Sequence, residues 1–173
     1  MRRPFLRRHL LLGAALACTL PAFAQTSAPP AYGPVALHYA ALVHANYEDV
    51  LAAARTMQQQ VAAFVKAPTA ESLAAARKSW VAAREPYGQT EAFRFYGGPI
   101  DADKGPEGRI NAWPMDESFV EGADGKGGLV HDRKFAISKK NLAAQNERGG
   151  EENIATGWHA IEFLLWGQDF NDK

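Results

Sequence analysis

The sequence predicts an all-α protein built as a helical bundle. Apolar residues recur at steps of three and four through two long segments, about 35–66 and 70–95, as expected for helices with one buried face. A shorter segment, Gly157 to Trp166, is apolar almost throughout, which is typical of a buried helix. No segment shows the strict alternation of apolar and polar residues that predicts a strand.

The first long helix is expected from Val35 to Lys66. It should end before Pro68, because a proline cannot continue a helix interior, and Thr69 is placed to cap the next helix. His44 lies on its apolar stripe and is interpreted as a core or edge residue, not as a ligand. The predicted stripe consists of Leu37, Ala40, His44, Tyr47, Leu51, Ala54, Val61, Phe64 and Val65.

The second long helix is expected from Ala70 to about Arg84, with Pro86 bending or breaking it before it continues to Phe95. Its stripe passes from Trp80 through Arg84 and Tyr87 to Glu91, so that two charged residues continue an apolar face. If the helix bends, Arg84 and Glu91 point inward. If it breaks, they form a surface ion pair that contributes little to stability.

The segment from Gly97 to Asp116 is predicted to be a long ordered loop, since loops of this length in compact domains are usually functional or disordered and this one carries apolar residues that can pack. These residues are Ile100, Ile110, Trp113 and Met115. Ser138 is expected to cap a short helix through Asn146. The apolar helix should then open at Glu152 or Asn153 and end at Gly167, with Gln168 and Asp169 outside it.

Two ionisable residues, His159 and Glu162, are set into the apolar helix three positions apart and therefore share a face. Burying them is unfavourable unless they are paired, hydrogen-bonded or bound to a metal. Gly157 indicates the close approach of another backbone or of a ligand. The pair supplies two ligands where a catalytic zinc takes about three from protein, and spacing alone favours a structural pair in a bundle core.

Residues 1–24 have the features of a signal peptide: four arginines near the start, an apolar run from Leu10 to Leu20, and Ala22-Phe23-Ala24 as a cleavage site. A flexible linker over 25–34 and a helical domain over 35–173 would follow. Export to the periplasm or cell envelope is the prediction. A lipoprotein acylated at Cys18 ranks second, because the residues before Cys18 are one place off the usual pattern.

Removal of the leader changes the charge of the chain. The sequence has 19 basic and 19 acidic residues, and the leader contains four of the former and none of the latter, so the remainder carries a formal charge of −4. An acidic surface argues against nucleic acid as a partner. Cys18 is the only cysteine, so any metal ligands after the leader must be His, Asp or Glu.

The segment Gly157 to Asp169, which begins G-W-H-A-I-E, resembles the G-x-H-x-x-E signature of the imelysin family. Arg84 to Phe95 resembles the second-helix motif of that family. The segments 98–101 and 111–117 resemble its ordered loop. The resemblance covers nearly all of the chain after the leader.

This resemblance implies the first half of a two-bundle, all-helical imelysin-like fold, exported to the bacterial envelope. Family members continue into a second helical half, which is expected as a missing partner of a chain that ends at Lys173. Gly157, Trp158, His159 and Glu162 match the signature. Glu91 and Arg84 are implied companions, and Asp116 is a weaker one.

Three functions follow from the resemblance. The first is a metal-binding protein of iron uptake, with iron or zinc held by His159, Glu162 and Glu91 and with an outer-membrane or iron-uptake partner. The second is a metallopeptidase, in which Glu91 or Glu162 is the base and Arg84 steadies a carboxylate or oxyanion of a peptide substrate. The third is a structural or partner-binding module.

Overall fold

The computed structural model describes residues 32–122 and 127–167, which contain helices, turns and loops and no strand. The helices are α1 (Tyr32–Lys66), α2 (Ala70–Gln89), α3 (Glu107–Ile110), α4 (Glu117–Val120), α5 (Gly128–His131), α6 (Lys139–Gln145) and α7 (Gly157–Trp166), with a 3₁₀ turn at Thr90–Phe93. The predicted all-α class is confirmed. The predicted signal peptide, Cys18, the linker up to Ala31, and Gln168 and Asp169 lie outside the described residues.

Within the described ranges, none of the helices combines the length and the apolar character that crossing a lipid bilayer requires. The core is formed where α1, α2 and α7 meet. Its buried residues are Met57 from α1, Ala76, Trp80, Ala83 and Tyr87 from α2, and Trp158 and Leu165 from α7.

Helix α1 begins at Tyr32, so the last three residues of the predicted linker are helical. Pro34 is compatible with this start, because the backbone N–H groups of the first helical turn make no hydrogen bond within the helix, and a proline there removes none. The predicted apolar stripe is only partly correct: Leu37 is 74% exposed, and the buried positions are Asn46 and Met57. Helix α1 is 35 residues long and α2 is 20, and the first half of α1 contacts the 3₁₀ turn, where the Tyr39 and Phe93 ring centroids are 5.7 Å apart.

Helix α2 confirms Thr69 as its cap and continues through Pro86 without breaking. Ser72 N donates to Thr69 Oγ1 at 3.1 Å, and Thr69 N donates to Ser72 Oγ at 2.9 Å. Near the proline, the Asn46 side chain donates to the Pro86 carbonyl at 3.2 Å. Asn46 of α1 therefore supplies a hydrogen-bond donor to the Pro86 carbonyl, which lies close to the point where α2 changes into the 3₁₀ turn.

The segment between the 3₁₀ turn and α4 contains little regular structure, as predicted, and Ile110 packs against the core. Trp113 is not buried in the core; it is 69% exposed. Ser138 caps α6, as predicted, by accepting a hydrogen bond from Asn141 N at 3.2 Å.

Helix α7 begins at Gly157, later than the predicted Glu152 or Asn153. Ile154 is fully buried in a non-helical segment, and Thr156 has extended dihedrals. Gly167 ends the helix as predicted, with its N–H bonded to the Phe163 carbonyl at 2.7 Å. The apolar sequence predicted that α7 would be buried on every side. This prediction is wrong, because Leu164 is 59% exposed.

Candidate functional site

The start of α7 is fixed by a direct backbone contact. Gly157 has a φ of +89°, and a Cβ added to it would lie 2.4 Å from the carbonyl oxygen of Ile110. The hydroxyl of Thr156 donates to the carbonyl of Arg109 at 3.0 Å. The glycine therefore marks the close approach of another backbone, the one on α3, which sets the position of Trp158 and His159.

Asn146 joins the same two segments through its side chain. Its Nδ2 donates to the Gly108 carbonyl at 2.6 Å. Its Oδ1 accepts from the backbone amides of Ala155 at 3.0 Å and Thr156 at 3.2 Å, and from the Thr156 hydroxyl at 3.1 Å. This side chain provides the amides before α7 with an acceptor outside the helix, which accounts for the late helix start.

His159 and Glu162 contact each other on α7, as their spacing predicts. His159 Nδ1 lies 3.2 Å from Glu162 Oε2, and the two side chains are 16% and 42% exposed. The Trp113 ring lies against the histidine ring, with centroids 4.6 Å apart. Nε2 of His159 has no hydrogen-bond partner within the described ranges, and it is not among their fully buried unpaired atoms.

Arg84 points inward, as expected if α2 does not break, whereas Glu91, for which the same was expected, is 41% exposed and pairs with Arg94. Its guanidinium carbon lies 5.9 Å from the Trp80 ring, 5.2 Å from the Tyr87 ring and 5.6 Å from the Trp158 ring. Its Nη1 donates to Asn111 Oδ1 at 3.0 Å. This aromatic cage, formed by Trp80, Tyr87 and Trp158, joins α2 to the start of α7.

Glu91 belongs to a separate ion-pair network. Both of its carboxylate oxygens lie 3.0 Å from Arg94 Nη1, and Oε1 also accepts from Asn111 Nδ2 at 3.3 Å. The same arginine nitrogen lies 2.8 Å from Glu107 Oε1. Arg94 therefore pairs with two carboxylates, and Asn111 connects this network to Arg84.

Burial perturbs the ionisation of two groups in this network. It raises the pKa of Glu107, while the positive charge of Arg94 opposes that shift. Burial, followed by the negative charge of Glu107, raises the pKa of Tyr87 far above its ordinary value. The Tyr87 hydroxyl, which donates to Glu107 Oε2 at 3.3 Å, therefore keeps its proton at neutral pH.

Asp116 has a local structural role. It caps α4, since its Oδ1 accepts from Ser118 N at 2.9 Å, and its own amide donates to the Glu152 carbonyl at 2.8 Å. It is not among the residues that contact the His159–Glu162 pair.

The structure thus brings His159 and Glu162 together and places Glu91 with Arg94. Across residues 32–122 and 127–167, no three or more His, Cys, Asp or Glu side chains form a group that could hold a metal ion. Sequence reasoning missed the roles of Trp113, Asn111 and Glu107. Asn111 and Trp113 lie in the 111–117 segment that carries part of the resemblance, whereas nothing in the sequence distinguishes Glu107.

The fold and its side chains define a class of protein: an all-helical domain that carries a partly exposed His–Glu pair on α7 and, on α2, an arginine in contact with three aromatic rings. The sequence profile of the Imelysin family matches residues 43–173. The chain belongs to the imelysin family.

One curated relative is "Iron-regulated protein A" of Synechococcus elongatus. It is 34% identical over 121 residues, which are 70% of this chain and 28% of the relative. The chain therefore spans well under half the length of the curated relative that it matches.

Proposed function

We propose that this chain is part of a cell-envelope protein of iron supply, in which His159 and Glu162 contribute two ligands to a divalent metal, iron or zinc. Family membership and the relative named Iron-regulated protein A support the link to iron. The signal-peptide features of residues 1–24 support the envelope location. The observation that carries the metal part is the 3.2 Å contact between His159 Nδ1 and Glu162 Oε2.

The chemical nature of the two donor atoms fits a divalent iron or zinc ion. An imidazole nitrogen and a carboxylate oxygen are ligands that iron and zinc accept. The 42% exposure of Glu162 leaves its carboxylate accessible from solvent. A bound metal would supply a positive charge that polarises a ligand or lowers the pKa of a bound water.

Two donors are fewer than such a metal requires. Glu91, the third ligand expected from the sequence, has both oxygens against Arg94, so recruiting it would separate an ion pair. Among the described residues we therefore propose only His159 and Glu162 as ligands.

A calorimetric titration of the purified protein with zinc, and with ferrous iron without oxygen, tests this function. His159→Ala and Glu162→Gln are each expected to weaken binding at least 10-fold, a loss of about 1.4 kcal/mol. The matched control is the exposed pair His44–Glu48, with 3.3 Å between Nδ1 and Oε2. His44→Ala and Glu48→Gln should leave binding unchanged.

The absence of binding by folded wild-type protein would overturn the metal proposal and leave the pair as a structural contact. Equal losses from the His44 and His159 variants would show that the titration reports only surface binding. Loss in His159→Ala with binding retained in Glu162→Gln would make Glu162 an orienting partner of the histidine and not a ligand.

Metallopeptidase activity is the second proposed function. Glu162 is favoured as the base over Glu91 because the Glu91 carboxylate is paired with Arg94, although the two side chains are similarly exposed, 42% and 41%. Cleavage of a peptide library by metal-loaded protein, and its loss in Glu162→Gln, tests this role. An unchanged rate in that variant would exclude Glu162 as the base.

A further inference from the structure

We propose that Arg84 is the receptor for a carboxylate group of an anionic ligand. This inference deepens the proposed function by naming a ligand class for the same site, and it rests on that function for its biological setting. The binding step itself needs no metal. It can therefore be tested separately from the His159–Glu162 pair.

The first observation is that the guanidinium of Arg84 is held in place. Three rings of the aromatic cage lie 5.2–5.9 Å from its central carbon, and cation–π attraction stabilises a cation in such a position. Arginine cannot be deprotonated in a protein. A fixed positive charge is therefore present at this position at every accessible pH.

The second observation is that this charge has no counter-ion. The one hydrogen bond of Arg84 to the described residues goes to the neutral amide of Asn111, and none of their ion pairs includes Arg84. Arg94, ten residues later, pairs with two carboxylates. Arg84 is therefore a cation that the aromatic cage holds in place without pairing it with an anion, and we take this arrangement as the sign of an anion-binding position.

The third observation is that Arg84 still has donors to offer. Its remaining N–H groups have no acceptor within the described ranges, and none of its nitrogens is among the buried unpaired atoms there. A guanidinium presents parallel N–H groups that match the two oxygens of a carboxylate. Arg94 pairs with both Glu91 and Glu107, which leaves that network with an excess negative charge, so Arg84 is the cation available to a ligand and a singly charged carboxylate suits it better than a doubly charged phosphate.

The position of the arginine connects it to the His–Glu pair. Trp158 of the aromatic cage precedes His159 in the chain, and Asn111 lies two residues before Trp113, whose ring packs on His159. Arg84 is thus linked to the pair through Trp158 and through the segment that joins Asn111 to Trp113. Either a small polycarboxylate that chelates a metal or a peptide with a free carboxyl end would present a carboxylate to Arg84.

Binding can be measured on metal-free protein, prepared with a chelating resin so that no soluble chelator competes. The probes are citrate, N-acetyl-dialanine with a free carboxylate, the same dipeptide as its carboxamide, and inorganic phosphate. Calorimetry gives the affinity, and tryptophan fluorescence gives an independent signal, because two indoles line the aromatic cage.

We expect at least one carboxylate probe to bind and the carboxamide not to bind. Arg84→Met should weaken the binding at least 10-fold, and Arg84→Lys should weaken it to a smaller extent, since it keeps the charge but not the fork. Arg77 is the matched control: it lies on the same helix, 5.4 Å from the Trp166 ring, and its Nε donates to the Leu165 carbonyl. Arg77→Met should bind as wild type does.

The two proposals are separated by the measurements themselves: carboxylate binding to metal-free protein tests Arg84, whereas the zinc and iron titration tests the His159–Glu162 pair, so either can fail without the other. A preference for citrate or for the dipeptide would identify the source of the carboxylate. If neither carboxylate binds to folded wild-type protein, if Arg84→Lys and Arg84→Met both bind as wild type does, or if phosphate binds more tightly, the proposal is wrong. Unfolding curves establish whether Arg84→Met is folded; if it is not, Arg84→Lys decides.

Discussion

At the scale of single residues, two glycines with positive φ delimit α7 but differ in their surroundings. Gly157 faces the backbone of Ile110, whereas a Cβ on Gly167 would meet no atom within 4 Å. Gly157 therefore combines a conformational requirement with a steric one, and Gly167 has only the first.

Alanine substitutions at these glycines separate the two requirements. Gly167→Ala should lower the free energy of unfolding by about 1–3 kcal/mol, because its φ of 80° and ψ of −173° lie in a region that residues with a side chain rarely adopt. Gly157→Ala should lower it further, because the new methyl group would overlap the Ile110 carbonyl. Gly88→Ala, within α2 and with open space around it, should be neutral or stabilise by up to about 1 kcal/mol. Urea unfolding measures all three, and equal losses at 157 and 167 would contradict the steric role.

The raised pKa of Tyr87 gives a pH dependence with a definite sign. In the unfolded chain a tyrosine loses its proton near pH 10, while the folded protein keeps the proton of Tyr87 to higher pH. The contribution of this residue to stability is therefore complete below about pH 10 and is lost as the pH rises toward the folded pKa, by at most about 1.4 kcal/mol per pH unit.

We expect the free energy of unfolding of Tyr87→Phe to fall less steeply above pH 10 than that of wild type. Tyr32→Phe, at an exposed position, is the control and should keep the wild-type slope. Denaturant titrations at stepped pH provide the measurement. Identical slopes for wild type and Tyr87→Phe would contradict the assignment.

At the scale of elements, sequence reasoning succeeded where the signal was local. Pro68 and Thr69 predicted the end of α1 and the cap of α2, and Ser138 predicted the start of α6. It failed at the start of α7, where the Asn146 side chain and the Ile110 carbonyl act from distant parts of the sequence. The buried face of α1 was also missed, since its many alanines allow several faces and the contacts with α2 and α7 select one.

The attachment of α7 to the preceding loop should depend strongly on Asn146. Its side chain makes four hydrogen bonds, so Asn146→Ala is expected to lower the free energy of unfolding by about 2–4 kcal/mol. Asn141→Ala removes one exposed bond to the Ala136 carbonyl and should change stability by at most about 1 kcal/mol. Thermal or urea unfolding compares the two, and similar losses would argue against a special role for Asn146.

At the scale of the whole molecule, the sequence predicted which residues carry the candidate site better than it predicted their grouping. The helical spacing was sufficient to pair His159 with Glu162. The separation of Glu91 from that pair could not be predicted. It depends on the contacts that Glu91 makes with Arg94 and Asn111, both of which follow α2 in the chain. Likewise, Arg84 points inward only if α2 is continuous, and the sequence could not decide whether Pro86 bends or breaks the helix.

The first part of α1 exposes three apolar side chains that are spaced four and three residues apart and so share one face of the helix, Val35, Tyr39 and Leu42. Apolar patches of this kind favour association, so we expect the purified chain to self-associate as its concentration rises. Leu42→Lys should reduce this association, while Ile137→Lys, at an exposed apolar residue outside the patch, should not. Sedimentation velocity over a concentration series tests both, and a monomer at all concentrations would contradict the expectation.

The tryptophans of the aromatic cage, together with Trp166, also contribute to the circular dichroism spectrum of the protein. Trp80 lies edge-on to Trp158 and to Trp166, with ring centroids 6.3 and 5.5 Å apart and interplanar angles of 79° and 69°. Indoles at such distances and angles couple their electronic transitions and add bands of their own to the circular dichroism of the backbone. A helix content calculated from the circular dichroism spectrum alone would therefore be in error. The same tryptophan bands would report whether the rings around Arg84 keep their arrangement in each variant.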